Sequence, residues 1–446
     1  MPQVAAVVLA AGQGTRMKSA LPKVLHPIAG RPMLAQLWAT LDALEPKPIR
    51  RVLVLGKGMD VVAKAAPGAV IAVQDPPKGT GHAVLSAKAA LQGFDGDVLV
   101  LSGDAPLITP ATLQAALAAR RAASSPAVVV VGFRPADPTG YGRLLQGADG
   151  GLEAIVEHRD ATPEQREVGL CNSALMAIDG RVLFDLLAEL RPNNAQGEYY
   201  MTDVVGIARR RGLRCAVIEA DAEEVMGINS RDQLAEAEAV LQRRLRLAAM
   251  QGGVTMRDPA SVHLCHDTRF GRDVTIEPNV VFGPGASIGD NVTIRGFCHI
   301  EGASIAPGAI VGPFARLRPG ATIGEDTHIG NFVEIKAATV EPGAKINHLA
   351  YIGDASVGAK SNIGAGTITC NYDGFTKSRT EIGAGVFVGS NSTLVAPLKI
   401  NDGAYIGAGS TITADVEADA LALGRAREVV KSGWAAVFRK SRQTKK

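Results

Sequence analysis

The sequence predicts an α/β fold in two parts, a largely parallel sheet covered by helices and then a parallel β-helix, with one helix between them. Two observations lead to this prediction. Up to about residue 228, short apolar runs alternate with longer helical patterns, and from about residue 270 aliphatic residues recur with a period of six. The chain of 446 residues is also longer than one hydrophobic core usually serves, so at least two domains are expected.

The first part of the chain alternates between two kinds of segment. Short runs rich in β-branched residues predict strands, and longer amphipathic stretches predict helices. The predicted strands are 4–10, 52–55, 70–73, 98–101 and 127–131, and the predicted helices are 32–44, 82–91 and 110–122. Continuous apolar strands alternating with helices are typical of a largely parallel sheet with both faces buried. The ligands of such sheets bind at the carboxyl ends of the strands.

A single helical pattern without glycine or proline follows at 230–250. Ser230 and Gln233 match a capping box at its start, and the glycine pair at 252–253 can end it. Apolar residues at spacings of three and four give this pattern one apolar face. We therefore predict a first domain, a linker helix and a second domain at 1–229, 230–251 and 252–446.

In the second part, an aliphatic residue recurs every six positions up to residue 412, often with glycine directly after it, as in Ile288-Gly289 and Ile352-Gly353. This period predicts a parallel β-helix in which each six-residue side places its aliphatic residue in the core. A small residue lets the backbone turn the corner. The insertion 369–377 (TCNYDGFTK) breaks the rhythm, and loops on rigid scaffolds often carry function. A purely structural solenoid is the alternative.

The overall composition excludes several classes of protein. Charged residues make up 20% of the chain and the formal net charge is only +3, so the chain is neither disordered nor strongly basic. Aromatic residues make up 4%, too few for a surface that binds nucleic acid by stacking, and no nucleic-acid partner is expected. No apolar run approaches the roughly 20 residues of a membrane span, so none is expected.

Two features of the chain predict a cytoplasmic location. The start at Met1 and Pro2 lacks a basic segment and leads directly into a strand-like run, so no signal peptide is expected. The five cysteines lie far apart with no CxxC spacing, which favours reduced thiols in the cytosol.

The loop after the first predicted strand suits a phosphate group. Gly12 and Gly14 let backbone N–H groups approach phosphate oxygens, and the loop and its surroundings carry two positive charges, Arg16 and Lys23. Met17 stands where a Walker loop or a GxGxxG fingerprint requires glycine, so neither of those motifs is present. For the glycines alone, the alternative is a tight turn.

A carboxylate follows another predicted strand. Asp104 comes after the strand at 98–101, where a carboxylate is well placed to hold Mg²⁺ on substrate phosphates. Its alternative is a turn or helix-capping aspartate. Other residues suit a nucleotide base and a sugar, although each alone would be an ordinary loop residue; they are Gln74, Gly79, Thr80, Gly142, Glu157 and Asn172.

His348 is the chemically notable residue of the predicted β-helix. A lone histidine in a solenoid is usually a solvated bystander, but residues one coil of about 18 residues apart stack on one face. Arg318 and Lys336 have this spacing, and Tyr351 and Asn362 follow on nearby coils. Two cations suit a sugar phosphate, and a neutral histidine suits a general base.

Two kinds of metal site are weaker alternatives in this part of the chain. His263, Cys265 and His266 carry metal-binding groups, but no second pair completes a tetrahedral zinc site. His299, His328 and His348 invite comparison with β-helix enzymes that bind a metal through three histidines. The motifs around His348 favour the general base.

These residues together carry a resemblance. The motifs L-x-x-G-x-G-T-R-M…P-K at 9–23, Q-x-x-x-x-G-T-G-H-A at 74–83 and Gly-Asp at 103–104 resemble the sugar-1-phosphate nucleotidylyltransferases. With the long helix, the hexapeptide period and the TCNYDG loop, the whole chain is similar to the bacterial family of bifunctional N-acetylglucosamine-1-phosphate uridyltransferases/glucosamine-1-phosphate N-acetyltransferases. The resemblance implies a Rossmann-like nucleotidyltransferase domain and a left-handed parallel β-helix.

For the first domain, the resemblance implies uridylyl transfer from UTP to N-acetylglucosamine-1-phosphate with release of pyrophosphate. Asp104 and Asn229 would hold Mg²⁺, and Arg16 and Lys23 would neutralise phosphate charge in catalysis. Ser102 stands where the family commonly has tyrosine, a change that affects one aromatic contact and not the chemistry. The residues implied to bind UTP or UDP-N-acetylglucosamine are Leu9, Gly12, Lys23, Gln74, Gly79, Thr80, Gly142, Glu157, Asn172 and Asn229.

For the second domain, the resemblance implies acetyl transfer from acetyl-CoA to glucosamine-1-phosphate. The two reactions together make UDP-N-acetylglucosamine, a precursor of peptidoglycan and lipopolysaccharide. His348 would be the general base that deprotonates the amine, and the family is a homotrimer assembled through the β-helix. The sugar phosphate would contact Arg318, Lys336, Tyr351 and Asn362, and acetyl-CoA would contact Ala365, Asn371, Tyr372, Lys377, Ser390, Ala408 and Arg425.

Overall fold

The structure is a computed structural model that describes residues 3–12 and 14–443. Met1 and Pro2, on which the prediction of no signal peptide partly rests, lie outside the described residues. The chain divides into two compact units, Met1–Arg244 and Leu245–Lys446, and the division falls within the helix Arg231–Gln251. The domain limits 1–229, 230–251 and 252–446 stay a prediction. Among the described residues, no helix is both long and apolar enough to cross a membrane.

Strands and helices alternate through the first unit as predicted. The strands are β1 (Val4–Leu9), β2 (Pro27–Ile28), β3 (Arg31–Pro32), β4 (Arg50–Gly56), β5 (Val70–Gln74), β6 (Asp97–Ser102), β7 (Val128–Phe133), β8 (Arg143–Gln146), β9 (Leu152–Val156), β10 (Cys171–Asp179) and β11 (Cys215–Glu219). The α-helices are α1 (Met33–Asp42), α2 (Asp60–Ala63), α3 (Thr80–Ser86), α4 (Pro110–Arg120), α5 (Pro163–Arg166), α6 (Gly180–Ala188) and α7 (Asp203–Arg210), and α8 (Arg231–Gln251) begins in this unit.

The central sheet is largely parallel, which confirms the prediction. Its order is β11-β7-β10-β6-β1-β4-β5, and β1 pairs in parallel with both β4 and β6. The carboxyl ends of β6, β1, β4 and β5 therefore share one edge of the sheet. The long strand β10 runs antiparallel to β6 and to β7, and this reversal was not predicted.

Both faces of the sheet are buried. Along β1, Val4, Ala6 and Val8 belong to one hydrophobic cluster, whereas Ala5 and Val7 belong to another. Because successive side chains of a strand point to opposite faces, this alternation puts one cluster on each side of the sheet. It explains why β1 is an uninterrupted apolar run in the sequence.

Two predicted helices differ in detail from the structure. The pattern at 82–91 resolves into α3, which ends at Ser86, and a separate 3₁₀ turn at Ala89–Leu91. At the start of α8, Oε1 of Gln233 accepts a hydrogen bond of 2.8 Å from the N–H of Asn229 rather than from that of Ser230. The glutamine thus reaches one residue farther back than the predicted capping box requires.

The second unit is a three-sided parallel β-helix. Its first sheet contains Thr255–Met256, Thr275–Ile276, Thr293–Ile294, Ile310–Val311, His328–Asn331, Lys345–His348, Asn362–Ile363, Phe387–Val388, Tyr405–Ile406 and Leu421–Ala422. The second contains Arg269–Phe270, Ser287–Ile288, Ser304–Ile305, Thr322–Ile323, Thr339–Val340, Ala355–Val357, Thr380–Ile382 and Leu398–Ile400. The third contains Val281–Phe282, His299–Ile300, Arg316–Leu317, Glu334–Lys336, Tyr351–Gly353, Ile368–Cys370, Thr393–Val395 and Thr411–Ile412. A helix, α9 (Trp434–Gln443), follows the three sheets.

The aliphatic residues of the six-residue period form the core of this prism. Ile276, Ile346 and Ile406 are completely buried, and they belong to one cluster that runs through the unit. Small residues stand where coils approach closely. A Cβ at Gly324 would lie 2.7 Å from the backbone oxygen of Val340, closer than any real side chain tolerates.

The insertion lengthens one coil, as predicted. Ile346 pairs with Ile363, 17 residues later, whereas Ile363 pairs with Val388, 25 residues later. The additional residues leave the prism at the third sheet, after Ile368–Cys370, and Tyr372 forms an antiparallel bridge with Lys377. The loop is therefore a small hairpin on the surface of the β-helix.

Candidate functional site

A cavity of about 360 Å³ opens in the first unit where β1, β5 and β6 end. This volume is typical of small-ligand sites, and the edge is the one expected for a largely parallel sheet. The predicted nucleotide-site residues that line the cavity are Leu9, Gly12, Lys23, Gln74, Gly79, Thr80, Asp104, Glu157 and Asn172.

Lys23 connects the two predicted metal ligands. Its Nζ forms an ion pair with the carboxylate of Asp104 and donates a hydrogen bond of 2.9 Å to Oδ1 of Asn229. The backbone links the same segments, because the N–H of Ile228 donates a hydrogen bond of 2.9 Å to the carbonyl oxygen of Asp104. Three residues that are far apart in the sequence thus meet around one ammonium group.

The oxygens around this ammonium fit a magnesium ion. Asp104 supplies a carboxylate oxygen and Asn229 an amide oxygen, both of which are hard ligands of the kind that Mg²⁺ prefers. Both oxygens already surround a positive charge, the Nζ of Lys23. An entering divalent cation would compete with this ammonium for the same two oxygens.

Ser102 orients the Asp104 carboxylate. The Oγ of Ser102 donates a hydrogen bond of 2.5 Å to Oδ1 of Asp104, while Lys23 holds Oδ2. Sequence reasoning treated Ser102 only as the loss of an aromatic contact and missed this role. The signal was present in the sequence, since Ser102 stands two residues before Asp104 at the end of a strand.

The glycine loop passes directly beside Lys23. Gly14 has a φ of +63°, and a Cβ added there would lie 2.5 Å from the Cβ of Lys23. Both the left-handed backbone and the close approach require glycine at this position. A 3₁₀ turn at Thr15–Met17 follows, which exposes Arg16.

Gln74 and Thr80 hold the opposite wall of the cavity. The buried Gln74 donates a hydrogen bond of 2.9 Å from Nε2 to the carbonyl oxygen of Gly79. Oγ1 of Thr80 accepts a hydrogen bond of 3.0 Å from the N–H of Met201. These bonds fix the start of α3 against the segment that contains Met201.

A bulge in β10 positions Asn172 next to Gly142. The pairing of β10 with β7 shifts between Asn172 and Leu175, a kind of irregularity that often re-aims a side chain beside a site. The N–H of Asn172 donates a hydrogen bond of 2.8 Å to the carbonyl oxygen of Gly142, and its Oδ1 accepts one of 3.0 Å from Ala174. A Cβ at Gly142 would lie 3.3 Å from Oε2 of Glu157, so the three predicted residues form one group.

Burial dominates the electrostatics of Glu157. Loss of water raises the pKa of this carboxyl group, a hydrogen bond from Thr202 opposes the rise, and the nearby Asp160 and Asp203 add to it. In the folded state, the group therefore binds its proton more tightly than in the unfolded chain.

Replacing Glu157 with glutamine is expected to raise the free energy of unfolding near neutral pH. Because the folded-state pKa is raised, wild-type stability falls as the pH increases from the usual carboxyl pKa through the folded-state value. The stability gap between variant and wild type should open over this range and close below about pH 4. Urea unfolding at several pH values measures it.

The exposed Glu153 on β9 offers a matched control for this prediction. The same change to glutamine there is expected to alter the unfolding free energy little at any pH. A stability gap for the Glu157 variant that stayed constant with pH would contradict the prediction.

Arg16 lines a neighbouring cavity and not the one around Lys23. This second cavity, of about 540 Å³, is lined by Arg16, Gly140, Glu157, His158, Arg159, Gln196 and Tyr200. Glu157 borders both cavities. The two cations that sequence reasoning directed at one region thus lie in adjoining spaces.

In the second unit, His348 stands at a corner column of the β-helix. It pairs with Asn331 of the preceding coil, and its Nδ1 lies 2.6 Å from Oδ1 of Asn331. The strand registers continue this column through later coils. The equivalent positions there are the predicted acetyl-CoA residues Ala365, Ser390 and Ala408.

The predicted sugar-phosphate residues occupy two sheets. Arg318 and Lys336 are adjacent in the third sheet, because Leu317 pairs with Ile335, and Tyr351 follows in the next coil. Asn362 lies in the first sheet, where it pairs with Lys345. The fold thus gathers Arg318, Lys336 and Tyr351 on one face and leaves Asn362 on another.

Acidic residues hold the two cations of this face. Arg318 donates a hydrogen bond of 2.8 Å from Nη1 to Oε1 of Glu334, and Nζ of Lys336 lies 3.8 Å from Oδ2 of Asp354. Sequence reasoning did not select Glu334 or Asp354, although each stands about one coil of roughly 18 residues after the cation it holds.

The inserted loop brings a further cation to the same face. The neighbouring Lys336 ammonium lowers the pKa of Lys377, so the two positive charges lie close together. The buried Asn371 donates a hydrogen bond to Asp354, whereas Tyr372 is 59% exposed. Arg425 is also exposed and follows the strand Leu421–Ala422.

The weaker metal sites of the sequence analysis do not form as expected. His299 lies in the third sheet and His328 in the first, and the described residues contain no metal-ligand group made of these histidines and His348. Cys265, His266 and Asp267 do bring their ligand atoms within 4.8 Å of one another, without His263.

Comparisons with known proteins match both halves of the chain. The model of the MobA-like NTP transferase domain matches residues 6–165, and that of the bacterial transferase hexapeptide matches 267–302, 302–337 and 379–414. The bifunctional protein GlmU of Paramagnetospirillum magneticum is 59% identical over 444 residues, which cover 100% of this chain and 98% of the relative. The chain belongs to the GlmU family. The bifunctional protein GlmU of Rhodospirillum rubrum is 62% identical over 439 residues and covers 98% of both chains.

Membership of the GlmU family confirms the predicted family and fold class. The first unit is a Rossmann-like nucleotidyltransferase domain, and the second is a left-handed parallel β-helix of hexapeptide repeats. The matches do not assign roles to single residues. The two clusters around Lys23 and His348 are therefore candidate sites of a GlmU protein.

Proposed function

We propose that the chain makes UDP-N-acetylglucosamine in two reactions. The β-helix transfers an acetyl group from acetyl-CoA to glucosamine-1-phosphate, and the first domain transfers a uridylyl group from UTP to the N-acetylglucosamine-1-phosphate formed. The observation that carries this proposal is the end-to-end similarity to bifunctional GlmU proteins, at 59% and 62% identity. The product supplies peptidoglycan and lipopolysaccharide synthesis.

In uridylyl transfer, an oxygen of the sugar phosphate attacks the α-phosphorus of UTP in line, and pyrophosphate leaves. The geometry at Lys23 supports this role for the cavity, because a cation between Asp104 and Asn229 lies where phosphate charge needs neutralising. Asp104 and Asn229 would hold Mg²⁺, which when bound offsets charge on the phosphate oxygens. The hydrogen bond from Ser102 keeps the Asp104 carboxylate in place.

The remaining walls of this cavity would bind the base and the sugar. Gln74, Gly79 and Thr80 are locked against α3 and would contact the nucleotide. Asn172, Gly142 and Glu157 form one polar group and would contact the sugar. Arg16, from the adjoining cavity, would stabilise the leaving pyrophosphate charge.

In acetyl transfer, His348 would take a proton from the amine of glucosamine-1-phosphate as the nitrogen attacks the thioester carbonyl. The C–S bond then breaks and coenzyme A leaves. Lys336 and Lys377 support a phosphate site on the neighbouring face, since two close ammonium groups favour a bound dianion. The column of Ala365, Ser390 and Ala408 leads away from His348 and would carry the pantetheine arm.

An exposed apolar stripe supports assembly into a homotrimer through the β-helix. Phe297, Phe314, Phe332 and Leu349 occupy left-handed corners of successive coils, and about half of each side chain is exposed. The phenylalanine rings stack with centroids 4.8 Å and 5.2 Å apart. Apolar patches of this kind often mark interaction surfaces. Sedimentation equilibrium should give three times the 46.3-kDa chain mass.

The cysteines support the cytoplasm as the location of the enzyme. All five lie within the described residues, and no disulfide joins any of them. Reduced thiols are typical of cytosolic proteins.

Two assays of the unmodified protein test the proposed function. One supplies UTP, N-acetylglucosamine-1-phosphate and Mg²⁺ and measures pyrophosphate. The other supplies acetyl-CoA and glucosamine-1-phosphate and measures free thiol. Both products are expected. Pyrophosphate without thiol would instead indicate a nucleotidylyltransferase whose β-helix serves only assembly.

A further inference from the structure

Asn331 lies beside His348 on the preceding coil of the β-helix. The strands His328–Asn331 and Lys345–His348 pair in parallel, with Asn331 directly opposite His348. The N–H of Leu349 donates a hydrogen bond of 3.0 Å to the carbonyl oxygen of Asn331, so the two backbones are locked together at this corner. Both residues precede a left-handed corner residue, Phe332 in one coil and Leu349 in the next.

The two side chains also form a hydrogen bond. Oδ1 of Asn331 lies 2.6 Å from Nδ1 of His348. An amide oxygen carries no proton, so the proton of this bond belongs to Nδ1. In the neutral imidazole the lone pair then lies on Nε2, the second ring nitrogen.

From this contact we propose that Asn331 is a positioning residue that holds His348 in the Nδ1–H tautomer, so that Nε2 is the general base of acetyl transfer. This inference rests on the proposed function. His348 is exposed, and water alone would let both tautomers form. The equivalent position on the following coil is Ala365, which has no side-chain acceptor, so the contact from the preceding coil selects the tautomer.

The opposite orientation of the Asn331 amide would not serve a base. If its NH₂ group donated to Nδ1, the proton of the neutral ring would lie on Nε2, and the lone pair would be consumed in the contact. A carboxylate in place of the amide distinguishes the two cases, because it accepts a proton but cannot donate one.

The nitrogen spectrum of the ring tests the tautomer without any assay of activity. In ¹⁵N-histidine-labelled protein at alkaline pH, the His348 signals, identified by their absence in His348→Gln, should show a protonated Nδ1 and an unprotonated Nε2. Asn331→Ala should shift the population towards Nε2–H. A wild-type ring with its proton on Nε2 would overturn the inference.

Kinetics of acetyl transfer test the consequence. Asn331→Ala is expected to lower kcat by about 10- to 100-fold with little change in KM for either substrate. Asn331→Asp is expected to keep the tautomer and to move the acid limb of the pH–rate profile up by about one unit, because its charge stabilises the protonated ring. Unchanged kcat in Asn331→Ala with an unmoved acid limb in Asn331→Asp would overturn the inference.

Two controls separate failure of this inference from failure of the proposed function. Asn291→Asp adds the same charge at an exposed left-handed corner of an earlier coil and should leave the profile unmoved. Uridylyl transfer should be unchanged in every variant, which reports intact folding. Loss of the proposed function would show as a wild-type protein without acetyl transfer, whereas the ¹⁵N spectrum would still decide the tautomer.

Discussion

Replacing His348 with alanine is expected to lower kcat for acetyl transfer by about 10²- to 10⁴-fold, the usual contribution of a general base. His348 is exposed at the corner column that leads to Ala365, with Nδ1 held by Asn331, so its removal leaves no group there to take the amine proton. Thiol release from acetyl-CoA and glucosamine-1-phosphate measures the loss. Uridylyl transfer in the same sample should remain at the wild-type rate.

His328 offers a matched control for this substitution. It is an exposed histidine on the adjacent strand of the same sheet, where it pairs with Lys345. His328→Ala should leave both reactions unchanged, which also tests the three-histidine metal site considered from the sequence. If His348→Ala kept more than a tenth of the acetyl transfer, another residue would have to be the base.

Replacing Asp104 with asparagine is expected to lower kcat for uridylyl transfer by about 10²- to 10³-fold, as is typical when one electrostatic contact to a transition state is removed. The neutral amide cannot pair with the Lys23 ammonium and is a poorer Mg²⁺ ligand than a carboxylate. The Mg²⁺ concentration needed for half-maximal rate should also rise. Pyrophosphate release measured over a Mg²⁺ titration checks both effects, and acetyl transfer should persist.

Asp95 provides the control for Asp104. It is exposed and stands just before β6, whereas Asp104 comes just after the same strand. Asp95→Asn makes the identical change at the opposite end of β6 and should alter neither the rate nor the Mg²⁺ dependence. Wild-type Mg²⁺ dependence in the Asp104 variant would show that Asp104 does not hold the ion.

Local patterns predicted the architecture because the physics behind them is local. The aliphatic residues at intervals of six, such as Ile276 and Ile346, are buried because each side of the prism repeats the same contact. The apolar run of β1 predicted a strand buried on both faces. The reversed direction of β10 was not predictable in this way, because strand direction depends on how distant segments pair.

The two sites differ in how much the sequence predicted. Lys23, Asp104 and Asn229 were chosen from motifs, yet only the fold shows that one ammonium bridges the other two side chains. Arg16 belongs to the same motif as Lys23 but lines another cavity. A motif defines which groups are available, and the path of the backbone decides which of them meet.

The column of His348 shows where the sequence ends and tertiary structure begins. By itself, the sequence determined the family, the two domain types and the residues with reactive groups, because these follow from composition, period and motif. A coil of strictly 18 residues would place Gly330 beside His348, whereas the structure pairs it at an interval of 17 with Asn331. Only the tertiary structure decided this neighbour, because coil length depends on how each corner turns and no six-residue period records it.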